Sequence, residues 1–174
     1  MSTVIELEPI VYELIGRVIV ETALLEGRLI ELAIRLDWQV NQSATFEDLQ
    51  AKHAGAHGEA LTKTVGNLAQ AAGDALDQAA FADFVDRVAQ RQRARNTIAH
   101  DLLFPLPDGG TVGFRTVSAR QRSAADEITQ FAILSPERLA GDLRLVKQVA
   151  HEAWQWIGQL PCPPLRTAAT GSSG

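Results

Sequence analysis

Between residues 8 and 38 the positions Val11, Ile15, Val18, Thr22, Leu25, Leu29, Leu32 and Leu36 follow one another four and three residues apart without interruption. A mean spacing near 3.5 residues holds one stripe on one side of an α-helix, and only other helices packed against that stripe can bury it. Glu13, Arg17, Glu21, Arg28, Glu31 and Arg35 form the polar side, with Glu13/Arg17 and Glu31/Arg35 at the i, i+4 distance of helical ion pairs. Ile19, Ala23, Ile30, Ala33 and Ile34 make a second stripe beside the first. A buried face that wide predicts more than one neighbour for this helix, or a second subunit.

The rest of the chain repeats the theme. Thr45 with Asp48 has the spacing of a capping box and opens a second predicted helix over 46–72, weakened in the middle by Gly55 and Gly58 in HAGAHG. Gly73 ends it and Asp74 is the expected cap of a third, which carries Phe81, Phe84, Val85, Val88, Ala99 and Leu102 on its apolar side. The segment 104–134 changes character. Pro105, Pro107 and the turn residues Asp108, Gly109 and Gly110 precede TVGFRTV, so a small β-hairpin is expected there, with ITQFAIL as a candidate third strand. Ser135, Pro136 and Glu137 start a last helix, whose seam is Leu139, Leu143, Val146, Ala150, Ala153, Ile157 and Leu160, and PCPP stops it. The expected class is all-α: an up-and-down four-helix bundle, with the hairpin inserted between helices three and four. One domain over residues 1–162 and a flexible tail over 163–174 complete the reading.

Composition narrows the function. With 174 residues, 46% hydrophobic and 21% charged, the chain fits one globular domain, and charged residues cut every apolar run short of a membrane span. MSTVIELEPI carries Glu6 and Glu8 where a secretory leader needs basic residues, so a cytoplasmic protein without membrane contact is expected. The lone Cys162 cannot close an intramolecular disulfide or build a Cys-rich zinc site. His53 and His57 share an i, i+4 spacing suited to a metal, but nothing fixes a third ligand, and neither a metal nor a cofactor is expected. His151 falls one position off the last seam, and Trp154 and Trp156 stand too close to share a face. A net charge of −5 is wrong for a protein that coats nucleic acid, so a nucleic-acid site has to be a local basic patch.

Such a patch lies on the third helix. Its seam, extended from Val85 and Val88, runs through Gln92 and Arg95, which turns a guanidinium toward a side where a bundle wants an aliphatic group. A charge so placed costs several kcal/mol unless it is paired or opens to water. Glu26, in the second stripe of the first helix, is the expected supporting partner, and a lock that fixes helix register is the plain alternative. Arg87, Arg91 and Arg95 form a row four residues apart leading to Asn96 and His100, a local cationic track suited to a phosphodiester. Histidine, with an ordinary pKa near 6.5, serves as base or acid at neutral pH. His100 near a helix end also has a structural reading, as a partner of the helix dipole. An Arg followed five positions later by His is weak by itself, because 13 arginines and four histidines yield roughly 0.3 such pairs by chance.

In this setting the stretch RNTIAH, residues 95–100, resembles the Arg-polar-x(3)-His motif of HEPN domains, placed as in that family near the end of the third helix. The motif covers six residues, and the helix order extends the likeness to residues 8–160. The resemblance implies a metal-independent endoribonuclease with Arg95 and His100 as catalytic residues and Asn96 as their polar partner. Arg91 and Arg87 would help to bind the RNA. It also implies a homodimer whose two motifs line one cleft, a toxin or defence setting, and an antitoxin protein as a possible partner. A tyrosine that follows the histidine in some toxins of the family is absent, since Asp101, Leu102 and Leu103 stand there. The residues leave a second reading open, a non-catalytic binding or scaffold protein of the same fold, and a weaker third, a nucleotide sensor using the same arginines.

Overall fold

The computed structural model describes the backbone of residues 9–100, 102–105, 112–115 and 131–166, and the side chains of 9–99 and 135–166. Among the described residues helices dominate, and the chain is of the all-α class: α1 (Pro9–Val40), α2 (Phe46–His53), α3 (Gly58–Ala72), α4 (Gln78–His100) and α5 (Pro136–Gln159). No described helix is long and apolar enough to cross a membrane. Between α4 and α5 run three short strands, β1 (Leu102–Pro105), β2 (Val112–Arg115) and β3 (Phe131–Leu134), paired antiparallel in the order β1-β2-β3. Leu103 faces Phe114 in the first ladder, and Phe114 faces Ala132 in the second. The expected turn at Asp108, Gly109 and Gly110 lies outside the described residues, as do Glu6 and Glu8.

Contacts divide the chain into two compact units, 24–89 with 149–174, and 1–23 with 90–148. The first of these has a continuous apolar core. Leu25, Leu29, Leu32 and Leu36 of α1, Leu61 and Val65 of α3, Phe81, Phe84 and Val88 of α4, and Ala153 and Ile157 of α5 are each at most 2% exposed. Phe81 stands edge-on to both Phe84 and Trp156, at centroid distances of 5.5 and 5.0 Å, the arrangement aromatic quadrupoles favour.

Polar side chains set the registers in this unit. Arg28 Nη1 donates to the Ala150 carbonyl at 2.6 Å, and Arg35 Nη1 donates to the carbonyls of Ile157 and Leu160 at 3.2 and 2.9 Å. Both numbers rise together, so α1 and α5 run parallel. Arg35 also satisfies carbonyls that the end of α5 leaves open, where a cation suits the helix dipole. α4 runs against α5, because Phe81 meets Trp156 while Arg87 meets Glu152.

The second predicted helix is two. The Thr45/Asp48 capping box is present at the start of α2, but the chain leaves the helix after His53 and re-enters one at Gly58, whose φ of +56° suits a residue without Cβ. Glu26 Oε1 accepts the Gly58 N–H at 3.1 Å, a carboxylate at the positive end of α3. Gly73, at φ +59°, ends α3 as expected. The cap of α4 is Asp77 rather than Asp74: a 3-10 turn over Gly73–Ala75 comes first, and Asp77 Oδ1 then accepts the Ala80 N–H at 3.0 Å.

Residues 163–166 are held rather than free. Pro163 is buried, the Pro164 carbonyl accepts the Phe46 N–H at 3.0 Å, and Arg166 bonds Glu47 through its N–H and Asp48 through its guanidinium. The expectation of a flexible tail from 163 gives way there, because the N–H groups and acids at the start of α2 are partners for this segment. Residues 167–174 lie outside the described set.

The core of the other unit contains Val11, Leu14 and Val18 of α1, Ile98 of α4, and Leu139, Leu143 and Val146 of α5. It also buries two polar side chains, Thr22 and Gln92. The Thr22 hydroxyl donates to the Val18 carbonyl at 2.8 Å, a local bond that makes the hydroxyl tolerable in a seam. Ser135 caps α5 by accepting the Arg138 N–H at 3.2 Å.

Candidate functional site

The second half of α4 carries the residues singled out in the sequence. Its inward row is Val88, Gln92 and Ile98, each at most 7% exposed, with Arg95 half-buried between the last two and Ala99 exposed. The guanidinium stands at the boundary of the core. Arg95 Nη1 donates to Asn96 Oδ1 at 3.2 Å, so the arginine and its polar neighbour are brought together. Among the described residues no carboxylate lies within ion-pair distance of Arg95. His100 is the last residue of α4, and its side chain lies outside the described residues.

The other two arginines of the row are committed to carboxylates. Arg91 Nη1 meets Asp142 Oδ1 of α5 at 2.9 Å, and both side chains are less than one-fifth exposed. Arg87 meets Asp83 one turn back and Glu152 of α5. Burial alone would pull the Arg87 proton affinity down, but Asp83 and Glu152 outweigh it and hold the guanidinium above its ordinary range. These two positions answer acids of the protein itself, and Asp142 and Glu152 are partners the sequence reading missed. Nothing in the spacing of α5 points to them until the register of α4 against α5 is known. Glu26, expected to answer Arg95, is engaged at the Gly58 N–H.

The other histidines have separate partners. His53 closes α2 and His57 precedes α3, so the turn between the helices removes the shared face that their spacing implied. His53 Nε2 donates to Asp37 Oδ2 at 2.7 Å, and Lys52 Nζ reaches the same oxygen at 2.6 Å. Asp37 and His53 are each 4% exposed. Burial would push the Asp37 carboxyl up, yet the bonds from Lys52 and His53 prevail and hold it below the ordinary carboxylate range. This cluster was also missed; its signal was an acid directly beside the seam residue Leu36. His57 Nδ1 donates to the Gly55 carbonyl at 3.1 Å, and His151 is exposed beside Gln155. Trp156 packs on Phe81, while Trp154 is 56% exposed.

A cleft of about 480 Å³ opens between α3 and α4, with Phe81, Val85, Gln70 and Asp86 among its lining residues. It contains none of the residues expected to act on RNA. The end of α4 is therefore the better candidate, since a half-exposed guanidinium braced by an amide can grip an anionic oxygen in two places. No protein-family model, no curated protein and no solved structure matches this chain.

Proposed function

We propose that this chain is a HEPN-like endoribonuclease that cuts RNA without a metal, its fold an elaborated up-and-down four-helix bundle. The observation that carries the reading is the state of Arg95: half-buried, braced by Asn96 and, among the described residues, answered by no carboxylate, whereas Arg87 and Arg91 are. A cation kept open at the end of a row whose two earlier arginines, Arg87 and Arg91, are neutralised suits an anionic ligand.

In the proposed reaction a base removes the 2′-hydroxyl proton and the oxygen attacks the neighbouring phosphorus. The P–O5′ bond breaks, the leaving 5′-oxygen takes a proton from an acid, and a 2′,3′-cyclic phosphate remains. Arg95 stabilises the charge that builds on the phosphoryl oxygens. His100 is one base or acid per chain, so a homodimer with both imidazoles in one cleft supplies the pair, and two-fold symmetry is its simplest form. A toxin countered by an antitoxin protein would use such an activity.

The test incubates bulk RNA with the protein in EDTA beside Arg95→Ala and His100→Ala. Cleavage that persists in EDTA and disappears in both variants is the expected result. Cleavage lost in EDTA removes the metal-free mechanism, cleavage retained in both variants removes the site, and full activity in a strict monomer removes the shared cleft.

One observation favours the second reading, a binding or scaffold protein. Tyr12, Val20 and Leu24 of α1 are each more than half exposed, more apolar surface than a solitary helix face needs. Bulk RNA left intact by the wild-type protein under all conditions would decide for it.

A further inference from the structure

We propose that Arg93, on the outward side of α4, binds a second phosphodiester next to the one held at Arg95, so that single-stranded RNA crosses the face that Arg93 shares with Asn96 and His100 rather than running back along Arg91 and Arg87. The inference rests on the reading of the α4 end as an RNA site.

Helical register defines that face. At about 100° per residue, position 96 stands about 60° round α4 from Arg93 and position 100 only about 20°, whereas position 95 stands about 160° away. The residue in line with His100 is therefore Arg93, two turns earlier, and not a member of the Arg87, Arg91 and Arg95 row. Arg91 also stands about 160° from Arg93 and meets Asp142 of α5, so Arg93 is on the side of α4 turned from α5, and it is exposed. Arg95 Nη1 donates to Asn96 Oδ1, which brings the Arg95 guanidinium round to the edge of this face. Asn96 then has its amide N–H groups left to offer an anion, about 4.5 Å of helical rise from Arg93.

The sequence around Arg93 keeps it cationic and unanswered. Arg17, Arg35 and Arg87 each have a carboxylate four residues earlier on their own helix and pair with it. The residues three and four positions either side of Arg93 are Ala89, Gln90, Asn96 and Thr97, and no acid occurs anywhere from 87 to 100. The Thr97 hydroxyl donates to the Arg93 carbonyl at 3.1 Å and leaves the guanidinium alone. Among the described residues no partner reaches that guanidinium from another element either, while every other arginine side chain except that of Arg144 meets one. An open planar fork one turn from the Arg95 and Asn96 pair suits a phosphodiester, with the scissile phosphate on Arg95 and Asn96 and a neighbour on Arg93.

The experiment measures fluorescence anisotropy of a labelled oligoribonucleotide of about ten nucleotides, 2′-O-methylated throughout so that it cannot be cut. Its partners are the wild-type protein, Arg93→Gln and Arg144→Gln. Arg144 is exposed and equally without a partner among the described residues, but it stands about 160° round α5 from Asp142, the residue that meets α4, so its variant removes the same charge from a different surface. Arg93→Gln is expected to weaken binding about fivefold near 0.1 M salt and to lower the slope of log K against log salt by about 0.7, the share of one phosphate on a single strand, to the same extent for uridine and adenosine oligomers. Arg144→Gln should stay within about twofold of wild type. Equal effects of the two variants, or none, overturn the proposal, as does a wild-type protein that does not bind the oligonucleotide. Cleavage of unmodified RNA, followed in parallel, separates the two claims: binding that depends on Arg93 without cleavage sinks the endoribonuclease and leaves the phosphate site, and cleavage with Arg93-independent binding does the reverse.

Discussion

The two halves of α4 are made of the same helix and do different work. From Gln78 to Ala89 the inward residues are Phe81, Phe84 and Val88, all at most 1% exposed, and the two rings pack on Trp156 of α5. From Gln90 to His100 the inward row includes a buried Gln92, a half-buried Arg95 and, at its flank, an ion pair between Arg91 and Asp142. Apolar burial near 25 cal/mol per Å² makes the first half an anchor of the fold, while every polar group in the second half brings a desolvation cost that its partners only offset. A helix that keeps such groups at one end is locally inconsistent, and local inconsistency concentrates where a protein acts on something else.

The largest effect should come from the anchor. Phe84→Ala removes a fully buried ring in contact with two others, and a loss of about 3–5 kcal/mol in unfolding free energy is expected from denaturant titration. A loss under about 1 kcal/mol would show that the aromatic cluster is not what holds this half, and the contrast would fail.

The next effect sharpens the contrast by showing what a purely structural polar group looks like. Asp37 accepts from Lys52 and His53 in a buried position, with no bond to any residue proposed to touch RNA among the described contacts, and Asp37→Asn should cost about 1–3 kcal/mol at neutral pH. Its folded carboxyl lies below the ordinary value of 3.8, so the ionised form favours the folded state. That contribution is complete above about pH 4 and is lost as the pH falls below it. The gap between wild type and Asp37→Asn, followed by thermal unfolding from neutral to acid, should therefore narrow in acid. A gap that widens as the pH falls would contradict the sign of the shift.

Sequence reasoning reached different depths in these places. The seam of α1 was legible from Leu25 to Leu36 because a stripe repeated over several turns averages out local exceptions; nearer the start Ile15 is only half-buried and Leu14 takes its place. The break in HAGAHG was legible as weak helix propensity, whereas the reversal that parts His53 from His57 depends on Glu26 answering the Gly58 N–H from another helix. Asp74 and Asp77 are equally good caps in sequence, and the 3-10 turn that takes up Asp74 decides for Asp77. The arginine row was visible as spacing, but which of its members are neutralised depends on Asp142 and Glu152, brought over by tertiary register.

The smallest effect on stability is the sharpest test of the contrast. Arg95 lies in the seam by spacing, yet it is half-exposed, and its bond to Asn96 joins neighbours on the same helix surface. Truncating it removes no buried apolar contact and strands no carboxylate among the described residues. Arg95→Ala should therefore unfold within about 0.5 kcal/mol of wild type, the range of ordinary surface substitutions. The same variant should lose RNA cleavage by at least about a hundredfold, the scale on which a single donor to a developing oxyanion acts. A protein destabilised by 2 kcal/mol or more would place Arg95 with Asp37 among the groups that hold the fold. Arg95 would then have a structural reason to sit in the seam, and the end of α4 would no longer need an anionic ligand to explain it.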